Sequence, residues 1–529
     1  MLKAPSLLWG LVSLFAFSEG QNPAPPREAL EAIRATDIRQ HINFLASDSL
    51  KGRDTPSPEL ERAGEYIAAE FKRLGLKPMQ GSYFNNFNLS IIRLGQENAL
   101  TVTAGEREVA YTIKQDFMPF DMTASELVAA PLVFAGYGIT APEYNYDDYA
   151  GLDVKGKIVL ALRHEPGEKD PASPFAGEKE TSHSQVSTKV QNAIEHGAVG
   201  LLIVTDPANH RSLTPRGFPW PSLFDGIPDD ALPLTLALAE KEKIPVVQVG
   251  ETVIQQIAGS VDTLRSWQQK IDRTRQPQSK ALANVQVKLQ TTTEATLQPT
   301  RNVIGLIEGA DPKLKNELVV IGAHYDHVGY KKQHGEGEDY IFNGADDNAS
   351  GTSAVLVIAK AFSVSKKKPK RSVLLITFAG EEKGLFGSRA YVEQPLWALD
   401  NTVAMLNLDM VGRNAPDSVS VGGLTRSPDL IKINEEENQS IGFKLDYSIE
   451  RYHNRSDQYN FARKKIPFLF YFTGEHPDYH QVSDNPEKIN ETKIARIATL
   501  AFRVAWRVAN SDARYRLVEP KSSTAIEFE

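Results

Sequence analysis

Two adjacent glutamates, Glu381 and Glu382, stand in FAGEEKGLFGS at the end of the apolar run SVLLITFAG. Glutamate is seldom buried without a partner, so these carboxylates either reach water or meet positive charge. Other apolar runs lead to similar residues. ELVVIGAH ends at His324, TVAMLNLD ends at Asp409, and PFLFYFTG is followed shortly by His480. Asp347 stands in NGADDNASG, a glycine-flanked turn before a further apolar stretch. Each has an ordinary reading when taken singly: paired acids such as Asp346 and Asp347 cap turns and helices, and Glu381 and Glu382 could face a helix N-terminus. Together, two histidines and three carboxylates form the nitrogen and oxygen donor set that zinc accepts. A carboxylate shared between two ions would let five residues hold two metals. Of two neighbouring glutamates at a turn, one can bind an ion while the other takes a proton from attacking water, whose pKa zinc lowers to about 7. The implied chemistry is amide hydrolysis.

Elements that would position these groups follow from periodicity. NVIGLIE, ELVVIGAH, SVLLITFAG, TVAMLNLD and PFLFYFTG read as strands. SGTSAVLVIAKAF reads as a buried helix, and IARIATLAFRVAWRVA as a terminal helix with Ile494, Ile497, Ala501, Val504 and Val508 on one face. Such alternation predicts a mostly parallel sheet covered by helices, with ligands at the carboxyl ends of its strands. Near the N-terminus, Ile38, Ile42 and Leu45 share one helical face. A second helix is predicted from Pro58, with Ser57 as its cap, Leu60, Ala63, Ile67, Phe71 and Leu74 at helical spacing, and Gly75 at its end. From about Asn98 the texture becomes short β-type runs (LTVTAG, LVFAGYGI, KIVLALR, AVGLLIVT, IPVVQVG) with one helix, TKVQNAIEHG. This is a smaller α/β unit whose histidines, His164, His183, His196 and His210, are scattered and suggest no catalytic group. The basic run SVSKKKPKR reads as a solvated loop between helix and strand.

Composition bounds the function. A chain of 529 residues with 41% hydrophobic content is expected to form two domains. A formal net charge of -8 argues against a general nucleic-acid binder. There is no cysteine, so disulfides, thiol catalysis and cysteine zinc sites are excluded. The N-terminal stretch has one lysine, an apolar run from Leu7 to Phe17, and small residues before a proline-rich segment. That is the layout of a signal peptide cleaved after Gly20, and the run falls short of the roughly twenty residues a membrane span needs. The expectation is a secreted or periplasmic protein without stable membrane insertion.

The motifs GAHYDHVG, NGADDNASG, FAGEEKGLFGS, LNLDMVG and DYHQVSDNPEKI, in this order, resemble the secreted di-zinc aminopeptidases that share a fold with glutamate carboxypeptidases and glutaminyl cyclases. GYGITAPEYNYDDYAGLDVKGKIVLAL with NAIEHGAVGLLIV is similar to the protease-associated domain inserted in many of them. The resemblance implies an α/β fold, a mixed, mostly parallel sheet sandwiched by helices of the zinc exopeptidase type, carrying a smaller inserted α/β domain. The corresponding division is a signal peptide at 1–20, the first part of the peptidase domain at 21–100, the inserted domain at 101–292, the zinc peptidase domain at 293–512 and a tail at 513–529.

Carried over residue by residue, the resemblance implies two Zn2+ ions per chain. His324 and Asp409 would hold one, Glu382 and His480 the other, and Asp347, with a cis bond to Asn348, would bridge them. Glu381 would be the general base and acid, Asp326 would orient His324, and Tyr479 would stabilise the oxyanion. Asp346 is read as a turn acid, and His327 and His476 as rim residues without metal. The implied activity is aminopeptidase action on peptides or proteins with a free N-terminus, by a monomer. A carboxypeptidase for acidic C-terminal residues and a non-catalytic binding protein are the alternatives, and glutaminyl cyclisation, usually a one-zinc reaction, fits less well.

Overall fold

The computed structural model describes residues 24–175, 177, 180–224, 232, 234–237 and 243–518. The expected leader at 1–20 and the tail beyond 518 lie outside them. The chain forms two compact units, one from the segments before Phe87 and after Pro299 and one from Asn88–Gln298.

Seven strands of a nine-stranded sheet are used below: β1 (Thr293–Ile307, which enters the first unit at Pro299), β2 (Leu318–His324), β3 (Ser372–Phe378), β4 (Thr402–Leu408), β5 (Ser418–Gly422), β6 (Lys444–Asp446) and β7 (Phe468–Phe472). They lie in the order β1-β3-β2-β4-β7-β5-β6. The central pairs β3/β2, β2/β4 and β4/β7 are parallel, whereas β1/β3 and β7/β5 are antiparallel. The sheet is therefore mixed around a parallel centre. Every residue of β2, β3, β4 and β7 is buried, as expected where helices cover both faces.

The helices used below are α1 (Ala35–Leu45), α2 (Pro58–Arg73), α3 (Gly351–Val364), α4 (Phe386–Glu393), α5 (Gln458–Arg463) and α6 (Glu491–Asn510). On one face of the sheet, Leu318, Val320, Leu374 and Ile376 join Tyr391 of α4 and Phe461 of α5 in a single apolar cluster. Alternate residues such as Val319, Ile321, Val373 and Leu375 point the other way and are fully buried. Helices α3 and α6 contact β2 and β4. α3 is apolar nearly all round, and α6 buries Ile494, Ile497, Ala501, Val504 and Val508. Helix α2 is capped by Ser57, whose hydroxyl accepts the N–H of Leu60 at 3.0 Å.

The basic run differs from expectation at its end. Lys366, Lys367 and Lys368 are exposed, but Arg371 is fully buried. Its guanidinium donates to Glu317 Oε2 at 2.6 Å, to the Val508 carbonyl at 2.6 Å and to the Ala513 carbonyl at 2.8 Å. It is a strand-edge clamp on the end of α6, because a buried cation is stable only when its donors find acceptors.

The second unit has an eight-stranded sheet whose centre includes the parallel neighbours Glu126–Phe134, Ile158–Leu162, Gly200–Val204 and Val246–Val249. Its core is a separate apolar cluster that includes Leu160, Leu202 and Val247. Among the described residues, no helix is long and apolar enough to cross a membrane.

Candidate metal centre

The parallel strands set the position of the centre. From β2 the chain crosses to β3 on one side, and from β3 it passes to β4 on the other side of β2. Loops leaving β2 and β4 therefore diverge, and a crevice opens between their carboxyl ends, the usual ligand position in open α/β sheets. His324 ends β2 and Asp409 follows β4, and His324 Nε2 lies 3.3 Å from Asp409 Oδ1.

Asp347 joins them from the turn before α3. Its Oδ1 is 3.3 Å from His324 Nε2, and its Oδ2 is 3.1 Å from His480 Nε2. Glu382 Oε2 is 3.0 Å from that same nitrogen. One carboxylate thus faces both histidines, one through each oxygen. The Asp347–Asn348 peptide bond is cis. Glu381 Oε2 is 4.0 Å from His324 Nε2, on the edge of the cluster.

Several neighbours hold this arrangement. Ser456 donates to Asp409 Oδ2 at 2.7 Å. A carboxylate oxygen of Asp484 accepts the N–H groups of Asp346 and Asp347 at 2.9 and 3.1 Å. Arg53 is buried and donates to the carbonyls of Tyr325 at 2.9 Å, Asn343 at 2.7 Å and Gly344 at 3.0 Å, and also to that of Leu45. Burial lowers its pKa to about 10, against the opposing pull of Asp326 and Asp347. Arg53 reaches this position through three left-handed residues, Lys51 (φ 42), Gly52 (φ 71) and Arg53 (φ 48). A side chain at Gly52 would strike the Gly329 carbonyl at 2.1 Å, so glycine is required there.

Two residues, His327 and His476, sit differently from their sequence-based assignments. His327, expected at the rim, is fully buried, with Nδ1 2.8 Å from Glu382 Oε1 and 3.7 Å from Asp347 Oδ2. His476, also expected at the rim, has a buried ring whose Nε2 is 3.3 Å from Asp346 Oδ2. Both lie inward because the loops around them fold over the sheet end, which strand periodicity does not encode. Asp326 meets His324 Nδ1 through its backbone carbonyl at 3.2 Å, closer than its carboxylate at 3.6 Å. That carboxylate also accepts the Thr55 hydroxyl at 2.9 Å and the N–H of Glu381 at 3.2 Å. Tyr479 stacks on His480, with ring centroids 4.0 Å apart.

The electrostatics call for a cation. Burial raises the pKa of Glu381 well above the ordinary carboxylate value, and nearby Glu382 and Asp409 reinforce this against His324. Asp409 is also raised, chiefly by burial. Burial works against a charged imidazole at His480, yet the close carboxylates of Asp347 and Glu382 bring it up to about 10. Negative charge thus exceeds what the histidines neutralise. The Nε2 atom of His480 has no aligned hydrogen-bond partner despite two carboxylate oxygens within 3.1 Å. Donor atoms that face one another without aligning as hydrogen bonds suit an ion between them. Three groups of donors lie close enough together to share an ion, His324/Asp347/Asp409, His327/Asp347/Glu382/His480 and His324/Glu381/Glu382. Zinc fits each, because each consists of imidazole and carboxylate atoms.

A cleft of about 320 Å³ opens onto the cluster, lined by Asp347, Glu381, Glu382, Asp409, Tyr479 and His480 together with the apolar side chains Leu385, Met410, Tyr452, Phe470 and Phe472. Asn454, Arg455 and Glu475 also line it. Burial, followed by the surrounding carboxylates, raises the pKa of the Tyr479 phenol, so it remains an O–H donor.

Known families and proteins match parts of this chain. Residues 302–505 match the model of Peptidase family M28, and residues 126–257 match that of the PA domain. A "Probable glutamate carboxypeptidase" of Arthroderma benhamiae is 28% identical over 350 residues, covering 59% of this chain and 43% of that protein. A "Probable leucine aminopeptidase" of Trichophyton verrucosum is 28% identical over 213 residues, covering 37% of this chain and 56% of that protein. The chain spans about half the length of these curated relatives. An aminopeptidase structure from Aneurinibacillus sp. strain AM-1 aligns with a TM-score of 0.44 at 21% identity, covering 93% of this chain and 96% of that one.

Proposed function

We propose that this chain, a Peptidase family M28 unit with a PA domain inserted in it, is a two-zinc aminopeptidase that removes N-terminal residues from peptides. The observation that carries the reading is the convergence of His324, Asp347 and Asp409 on one side and Glu382 and His480 on the other, with Glu381 at the edge of both. Asp347 would be shared, and His327 would support or join the Glu382 side. Bound zinc would supply Lewis acidity and a water acidic enough to ionise near neutral pH.

The chain's own residues do the rest. Glu381 accepts the proton from the attacking water at a carboxylate oxygen and returns it to the leaving amine. Tyr479 donates its O–H to the oxygen that becomes negative, and Ser456 holds Asp409 in orientation. The apolar wall of Leu385, Met410, Phe470 and Phe472 excludes water and suits an apolar side chain at the cleaved residue.

The cleft chemistry supports an amino-terminal substrate over an acidic carboxyl terminus. Such a terminus carries two negative charges, but the lining includes one arginine, Arg455, and also the carboxylate of Glu475. The N-terminal sequence supports secretion or a periplasmic location. The deciding experiment is a panel of aminoacyl chromogenic substrates and peptides blocked at either end. Cleavage of leucyl and phenylalanyl substrates, with none of N-acetylated ones, is expected. Cleavage of N-blocked peptides from the carboxyl end would overturn the assignment.

A further inference from the structure

In the second unit, two loops far from one another in sequence meet at the end of the sheet. Strands Ile158–Leu162 and Gly200–Val204 are parallel neighbours in register, so the segments that follow them leave the same edge. The first segment is HEPGE, with His164 and Glu168 four residues apart. The second is DPANH, with Asp206 and His210 at the same spacing. Carboxyl ends of adjacent parallel strands are where such sheets bind ligands.

We propose that His164, Glu168, Asp206 and His210 form a further metal site, of the two-imidazole, two-carboxylate kind that zinc occupies. Donor atoms from all four lie within 4.8 Å of one another. His210 Nε2 is 3.1 Å from both carboxylate oxygens of Glu168, and His164 Nδ1 is 3.8 Å from Glu168 Oε2 and in contact with Asp206 Oδ2. Four donors placed tetrahedrally about 2.1 Å from a zinc ion stand roughly 3.4 Å apart, so these separations bracket the required value. The imidazole rings stack with centroids 4.6 Å apart and planes 21° apart, which turns nitrogens of both toward Glu168.

The surroundings hold the set in place. Asp206 is fully buried and also accepts the N–H of His164 at 3.1 Å. Asn209 donates to Glu168 Oε2 at 2.8 Å. The carboxylate of Glu180 lies 3.8 Å from His164 Nε2, the ring nitrogen that faces away from the cluster. Lys189, the buried cation nearby, directs its ammonium to the carbonyls of Tyr137 and His164, leaving the Asp206 carboxylate to the imidazole and the main chain. The side chain of His210 is 34% exposed, which leaves an entry path for an ion.

The site is independent of the peptidase centre, and so is its test. The zinc content of the full chain, equilibrated with zinc and then dialysed, is measured for wild type, for His164→Gln/His210→Gln, and for Glu168→Gln as a milder variant. Both variants are expected to lose one equivalent of zinc per chain while cleaving aminoacyl substrates at the wild-type rate. Zinc-edge anomalous diffraction from wild-type crystals is expected to show a peak between His164 and His210. Unchanged zinc content in folded variants, or no anomalous peak there in crystals grown with zinc, would reduce the cluster to a hydrogen-bonded histidine and carboxylate network and overturn the proposal.

Discussion

The hydroxyl of Thr55 donates to Asp326 Oδ2 at 2.9 Å while its oxygen accepts the N–H of Gly380 at 3.1 Å. Asp326 in turn accepts the N–H of Glu381 through its other oxygen. Thr55 thereby fixes the turn that aims Glu381, the proposed general base. Thr55→Val preserves volume and removes both bonds, leaving a buried N–H unpaired. A stability loss of about 1–3 kcal/mol is expected in denaturant titrations. With it should come a fall in kcat of roughly tenfold to a hundredfold with zinc content retained, since geometry rather than ligation is disturbed. Wild-type turnover by this variant would show that the turn is held without Thr55.

Glu381→Gln keeps the shape of the side chain and removes its basicity. Turnover should fall by about 10²–10⁴-fold, while metal analysis gives the wild-type content. Chelation should abolish cleavage in the native chain and added zinc restore it. Peptidase activity that persists through chelation would contradict a metal-dependent reaction.

Ser456 stands one step behind the proposed metal ligands, through its 2.7 Å bond to Asp409 Oδ2. Ser456→Ala frees that carboxylate to rotate. Zinc affinity, measured by competition with a chelating dye, is expected to weaken by about 10- to 100-fold. Unchanged affinity would assign the orientation of Asp409 to other contacts.

Tyr479 is held protonated above the usual phenol range by burial and by the carboxylates around it. Its O–H therefore remains a donor when pH passes the ordinary tyrosine value of about 10. The kcat/KM profile should show no loss there from phenol ionisation. Tyr479→Phe should lower kcat by about 10²–10³-fold without altering zinc content. An alkaline limb near 10 that vanishes in the phenylalanine variant would reverse the electrostatic argument.

The sheet centre was legible because β2, β3, β4 and β7 are buried on both faces and so appear as unbroken apolar runs. The edge strands β5 and β6 were not, since SVSVG and KLD are short and partly polar. Candidate ligands at strand ends could be read from that same rule of topology. The inward turn of His327 could not, because it depends on a loop tied down by Arg53 and Thr55, residues hundreds of positions away. His164 and His210 appear scattered for a related reason. Only the side-by-side placement of two parallel strands joins them, although the matching four-residue spacings in HEPGE and DPANH offered a signal.

The guanidinium of Arg53 has a consequence for how small the catalytic body can be made. It fastens the segment after α1 to the loop after β2, at Tyr325, and to the turn that leads into Asp347, at Asn343 and Gly344, and His327 and Gly329 extend that join by donating their N–H groups to the Arg53 and Gly52 carbonyls at 3.1 Å each. A fragment excised at residues 302–505 would carry every proposed ligand yet leave the carbonyls of Tyr325, Asn343 and Gly344, the N–H groups of His327 and Gly329 and the Asp326 carboxylate facing an empty slot. The matched stretch 302–505 thus omits contacts that hold the proposed centre, and the segment from Leu45 to Thr55 belongs to that centre's support.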